Sequence, residues 1–216
     1  MNVDRILPTV APVLGPLLRG AQRKRQAQFD AAPPAPGHVV FLGDSISEQG
    51  DWERLFPELP TLNRGIGGYA IRDLAAHLDA SIREPAAISL LIGTNDLHGL
   101  GKSRKIQSIA EQMTSLVHHL RALAPEARLL INSVLPRTTH FRERIIELNR
   151  RYRQIAVESR ATYVDAWPAL AGPDGAIQKA FTIEGLHLSI EGYRVWADVL
   201  RPHLAVFAAA PARGAV

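Results

Sequence analysis

The chain has 216 residues and no cysteine, so it is sized for one domain with its own hydrophobic core, and disulfide frameworks and thiolate metal sites are excluded. Its formal net charge of +4 resides at the two ends, where arginine and lysine outnumber acids, while the body at 31–200 is close to neutral. A near-neutral body argues against nucleic-acid binding, and no apolar run approaches the roughly 18 residues of a membrane span.

Residues 1–37 read as an N-terminal extension. One or two short helices are expected over 1–30, interrupted by Pro8, Pro12 and Pro16, and AAPPAPG at 31–37 is a Pro-rich connector. The apolar stretch at 6–18 is preceded by an acid and a base and lacks a small-residue cleavage site, so it is not read as a secretory signal and the cytoplasm is the expected compartment. The basic cluster of Arg19, Arg23, Lys24 and Arg25 has two readings: a solvated helix face, or a weak contact with an anionic membrane surface through residues 1–30. Abundant Arg and Ala with few Lys suggest a bacterial source.

The domain proper is expected over 38–208, with a flexible tail at 209–216. Residues 39–47 read VVFLGDSIS, an apolar run that ends in Gly43-Asp44-Ser45 and so delivers a serine to the rim of a sheet. A helical stretch at 52–56, a second strand at 61–64 and a glycine turn at 65–68 follow. Ile71, Leu74, Ala75, Leu78 and Ile82 carry the stripe of an amphipathic helix. Residues 86–92 form a continuous apolar strand that stops at Gly93-Thr94-Asn95-Asp96. Beyond it come a long helix near 106–123, a strand at 128–134, a helix through 141–155, a short strand at 162–164, a loop-rich stretch at 166–181 and a last helix near 190–206. This alternation predicts an α/β fold, a three-layer α/β/α sandwich around a five-stranded parallel sheet. Its ligand rim lies outside the carboxyl ends of the strands, where the first three strands end in polar, Gly-rich turns.

A serine hydroxyl needs a base to take its proton and a third group to orient that base. Ser45 is the candidate nucleophile. His187 is the candidate base, because it precedes the last helix and has Glu184 three residues upstream; His77, His118 and His119 fall within predicted helices. The backbone N–H of Ser45, an N–H of the glycine turn and the amide of Asn95 are candidate donors to an oxyanion. His98, just past the third strand, is a candidate substrate contact. Asp165 is an alternative acid, and a metal held by Glu184, His187 and His98 is a further reading.

Together Gly43-Asp44-Ser45, the turn at 65–68, Gly93-Thr94-Asn95-Asp96 and Gly185-Leu186-His187-Leu188 resemble the SGNH hydrolases, or GDSL esterase and lipase family, over about residues 38–200. NRGIGG with IGTND is most similar to the branch holding the platelet-activating-factor acetylhydrolase catalytic subunits and bacterial relatives. The resemblance implies a flavodoxin-like sandwich without metal or cofactor. It also implies Ser45 as nucleophile, Ser45, Gly68 and Asn95 as the oxyanion hole, and His187 as general base. The chain departs from the family twice. Glu184 stands where the family usually has aspartate, leaving open whether Glu184 or a backbone carbonyl orients His187, and Tyr69 follows the double glycine as a candidate wall of the acyl pocket.

The expected activity is hydrolysis of a small-molecule carboxylic ester, short-chain in its acyl group. A lipid-surface lysophospholipase, an acyltransferase and a non-catalytic binding module on the same scaffold are the alternatives, and the oligomeric state is open.

Overall fold

Five short runs form one parallel sheet: β1 (Val39–Gly43), β2 (Thr61–Gly65), β3 (Ala87–Leu91), β4 (Arg128–Asn132) and β5 (Thr162–Val164). Their order is β2-β1-β3-β4-β5 in the computed structural model, which describes residues 3–32, 34–98 and 106–208, the side chains of 3–15 excepted. The chain leaves β1 toward β2 on one side and returns to β3 on the other, so strand order reverses at β1. Gly43 lies in register with Gly65 of β2 and Leu91 of β3, which brings the ends of three strands to one level.

Alternation along β1 divides the core. Val40 and Leu42 face a layer that includes Phe29 of α1 (Val3–Ala31), Ile71 and Leu74 of α4 (Ile71–Ala75), and the apolar stripes of α5 (Ile106–Leu123) and α6 (Arg142–Glu158). Val39 and Phe41 face a second layer. Here Ile46 of α2 (Ser45–Glu48), Trp52 of α3 (Trp52–Leu55), Leu170 of α7 (Trp167–Leu170) and Trp196 of α8 (Ile190–Leu204) meet. Phe41 stacks on Trp52 with ring centroids 3.8 Å apart, and Trp196 meets Trp52 edge-on at 5.1 Å. Truncating an aromatic in such a cluster costs on the order of 3–5 kcal/mol.

Two expectations need correction. The extension is one long helix rather than one or two short ones, and it continues through Pro8, Pro12 and Pro16. Their spacing of four places the missing N–H groups along one side, leaving the remaining hydrogen bonds to carry the helix. The stripe from Ile71 to Ile82 is buried except at half-buried Ala75, but it is helical only to Ala75. Beyond that, His77 and Ser81 donate to carbonyls three residues back, at Leu74 and Leu78, so the same face is buried by tight turns. The stretch at 166–181 contains α7 and an antiparallel bridge between Ala171 and Ile177. The tail at 209–216 lies outside the described residues, and no helix among the described residues is long and apolar enough to cross a membrane.

Candidate active site

Ser45 is the first residue of α2, two residues beyond the end of β1. Gly43 is required before it, because a Cβ there would overlap the carbonyl of Leu91 on the neighbouring strand and stand 2.6 Å from Ser47 Oγ. Asp44 caps α2 by accepting the Ile46 N–H at 2.9 Å. From outside, Tyr193 of α8 donates its hydroxyl to the Ile46 carbonyl at 2.7 Å and Trp52 Nε1 donates to the Ser47 carbonyl at 2.9 Å. Two helices of the second layer, α3 and α8, thus fix the turn that presents Ser45.

Asp44 itself is fully buried, and its second oxygen accepts no hydrogen bond among the described residues. Burial pushes its pKa up to about 7; the Ile46 N–H opposes the rise, the carboxylate of Asp96 adds to it and Arg137 draws it down.

The loop before α8 brings the other two groups. Thr182 and Leu188 form an isolated antiparallel bridge, Ile183 N–H and Thr182 Oγ1 both donate to the His187 carbonyl at 3.0 and 2.8 Å, and Gly185 turns the loop at φ +93°. Within this loop Glu184 folds back, so that Oε1 accepts the His187 N–H at 3.1 Å and contacts His187 Nδ1. The extra methylene of glutamate is absorbed by that bend. On the far side of the ring, His187 Nε2 lies 3.0 Å from Ser45 Oγ. With Nδ1 facing a carboxylate, the neutral imidazole carries its proton there and leaves Nε2 as acceptor for the serine hydroxyl.

The glycine turn follows β2. Tyr69 N–H donates to the Ile66 carbonyl at 3.2 Å, and Gly68 has φ +76°, the positive value a type II turn requires at its third position. Asn95, four residues past the end of β3, donates Nδ2 to the Tyr69 carbonyl at 2.9 Å, and Asp96 Oδ2 accepts the Ile71 N–H at 3.1 Å. The two turns are therefore bound to each other. Beneath them lies the buried Arg137, which donates to the carbonyl and hydroxyl of Thr94 and covers the Phe141 ring at 4.1 Å.

Ser45, His187 and Glu184 come together in one chain of contacts, and Asn95 and Gly68 join through Tyr69. The ring of Tyr69 does not wall the rim: it is buried in the core beside His77, and its carbonyl is what touches Asn95. His98 is half-buried against the edge of Phe141. Asp165 pairs with Arg153 at 2.8 Å and caps Trp167, whereas the carboxylate on His187 Nδ1 is that of Glu184. Among the described residues no group of three or more His, Asp or Glu is gathered as a metal ion would need.

Three contacts to the glycine turn carry no sequence motif. Glu48 Oε2 accepts the Gly67 N–H at 2.6 Å, Arg25 Nε donates to the Gly65 carbonyl at 2.7 Å and pairs with Glu48 at 3.1 Å, and Gln22 Nε2 donates to the Gly67 carbonyl at 2.8 Å. Glu48 is legible only as the residue three after Ser45 on a helical turn. Nothing in the sequence points from α1 to a turn 40 to 45 positions away.

Residues 41–195 match the GDSL-like Lipase/Acylhydrolase family. Among curated proteins, the chain is 32% identical over 170 residues to the human platelet-activating factor acetylhydrolase IB subunit alpha1, covering 72% of this chain and 70% of that protein. It is 25% identical over 175 residues to the bovine alpha2 subunit, covering 76% and 73%. A solved structure from Streptococcus pneumonia superposes with TM-score 0.82 at 27% identity, over 91% of this chain and 99% of that one.

Proposed function

The chain belongs to the GDSL-like lipase/acylhydrolase family and is a hydrolase; from that premise we propose that it is a serine esterase cleaving carboxylic esters through an acyl-enzyme on Ser45. The observation that carries this reading is the 3.0 Å approach of His187 Nε2 to Ser45 Oγ, with Glu184 on the opposite nitrogen.

His187 Nε2 takes the Ser45 hydroxyl proton as Oγ attacks the acyl carbonyl carbon. The carbonyl oxygen becomes a tetrahedral oxyanion, met by the N–H groups of Ser45 and Gly68 and by the amide of Asn95. Glu184 holds the ring by Nδ1 and stabilises the imidazolium. That imidazolium then gives its proton to the departing alkoxide, the C–O bond breaks, and the acyl group remains on Ser45. Water enters, His187 takes one of its protons, the hydroxide attacks the acyl carbon, and Ser45 leaves with the proton returned by His187. No step calls on a metal or cofactor.

A small, acetyl-type acyl group is the substrate class that the named acetylhydrolase relatives support. Hydrolysis of p-nitrophenyl esters from acetate to palmitate, with Ser45→Ala as control, tests both parts of the reading. Turnover that peaks at short chains and vanishes in the variant is expected; turnover that survives in Ser45→Ala contradicts it.

A second reading is a lipid-surface acylhydrolase, supported by Leu17 and Leu18, which are 70% and 44% exposed on the helix that carries the basic cluster. Co-sedimentation with phosphatidylglycerol vesicles, lost in Leu17→Glu, is its expected result; equal binding by variant and wild type removes it.

A further inference from the structure

The Gly67–Gly68 peptide is the central peptide of the Ile66–Tyr69 turn, and its N–H belongs to Gly68. With glycine on both sides of it, this unit has little steric reason to keep one orientation. Rotating it by half a turn interchanges a type II turn with a type I turn and sends the Gly68 N–H to the opposite side. Among the described residues no acceptor holds that N–H. The orientation must come from the other end of the same plane, where Gln22 Nε2 donates to the Gly67 carbonyl at 2.8 Å. In a trans peptide the C=O and N–H point in opposite directions, so a carbonyl fixed toward α1 fixes the N–H away from it.

Gln22 does not act alone on the turn. On its two preceding peptides, Glu48 accepts the Gly67 N–H and Arg25 donates to the Gly65 carbonyl, while Asn63 Oδ1 accepts the Gly65 N–H at 3.0 Å and Arg25 NH2 at 3.2 Å. Gln22 is the only partner of the Gly67 carbonyl among the described residues, and Leu18 lies over the same glycine pair, where a Cβ on Gly68 would stand 2.9 Å from its Cδ2. Docking of α1 is secured elsewhere by Phe29, which is 4% exposed and covered by the Arg64 guanidinium at 4.4 Å, and by the Arg64 bond to the Ala32 carbonyl at 2.9 Å.

We propose that Gln22, on the N-terminal helix, is a positioning residue for ester hydrolysis: it locks the Gly67–Gly68 peptide so that the Gly68 N–H is preset for the oxyanion. This rests on the reading of Gly68 as an oxyanion donor. The helix is then part of the catalytic apparatus rather than an appendage, and a substitution on it changes kcat without touching Ser45, His187 or Glu184.

The test uses the full chain, with kcat and KM on p-nitrophenyl acetate and the second-order rate of Ser45 modification by an alkyl fluorophosphonate. Gln22→Met keeps length and loses the donor; loosening one oxyanion donor, rather than removing it, is expected to lower kcat and the labelling rate about tenfold, with KM within about twofold. Gln22→Lys restores a donor at similar reach and recovers most of the lost rate, and Arg23→Ala, exposed on the same helix, leaves it unchanged. Asn95→Ala is measured in parallel. If Asn95→Ala is slow and Gln22→Met is as fast as wild type, the role of Gln22 is refuted while the oxyanion reading stands. If Gln22→Met and Gln22→Lys are equally slow and both melt lower, the contact is structural and the proposal fails. If Asn95→Ala is as fast as wild type, or the wild type is not labelled, the oxyanion reading falls and this proposal with it.

Discussion

One oxygen of Glu184, Oε1, accepts the backbone N–H of His187 at 3.1 Å and also meets the Nδ1 of that residue's ring. The carboxylate thus fixes both the loop and the ring plane. Glu184→Gln keeps the length of the side chain and an acceptor oxygen but loses the charge that, in the proposed mechanism, stabilises the imidazolium. A fall in kcat on the order of 10²- to 10⁴-fold is expected, with the melting temperature little changed. Near-normal turnover of Glu184→Gln on p-nitrophenyl acetate would remove Glu184 from the mechanism.

Asn95 has one amide hydrogen committed to the Tyr69 carbonyl at 2.9 Å, which leaves the other for an oxyanion. Asn95→Ala is expected to lower kcat on the order of 10²- to 10³-fold with a small change in KM, the pattern of a donor used in the transition state. Steady-state kinetics decide it: a rise in KM at constant kcat would make Asn95 a ground-state substrate contact instead.

Asp44 gives a pH prediction whose sign follows from burial. Its folded pKa is raised from 3.8 to about 7, so between those values the folded chain keeps a proton that the unfolded chain has released. Stability from this group is therefore fully present below the unfolded value and falls as pH rises toward 7, then levels off. The charged groups acting on it, Asp96 and Arg137, are unchanged in Asp44→Asn. The variant's melting temperature minus that of the wild type should rise from about pH 5 to about pH 7.5. A difference that is flat or falls across that range would show that Asp44 is ionised throughout.

Tyr193 reaches from α8 to the Ile46 carbonyl, one residue past Ser45, at 2.7 Å. Tyr193→Phe keeps the ring in its cluster with Trp52 and Trp196 and leaves that buried carbonyl without its donor. Urea unfolding is expected to show a loss of about 1–3 kcal/mol. No loss would mean that water replaces the hydroxyl.

The strands and the three Gly-rich turns were legible because each signal is local: the runs at 39–42 and 86–92 are each followed directly by a glycine, Gly43 and Gly93, and register then brings the turns to one rim. The link from Ser45 to His187 spans 142 positions, and only residue type and order pointed to it. Less was legible where the partner is remote and polar. The described part of α1 contacts the glycine turn through Gln22 and Arg25, side chains that also suit a solvated surface, and its buried apolar anchor is the single ring of Phe29. The stripe after Ile71 keeps its burial without its helix because tight turns suffice to bury Leu78 and Ile82. Tyr69 follows the double glycine in sequence, but the turn's geometry sends its ring into the core and its carbonyl to Asn95.

The most direct test of the account is peptide mapping by mass spectrometry after exposure of the wild type to an alkyl fluorophosphonate, with Ser45→Ala and His187→Ala alongside. One phosphonyl group on the peptide bearing Ser45, none in Ser45→Ala and a much slower reaction in His187→Ala is the predicted result. Modification of another residue, or equal labelling of wild type and His187→Ala, would contradict a serine activated by His187.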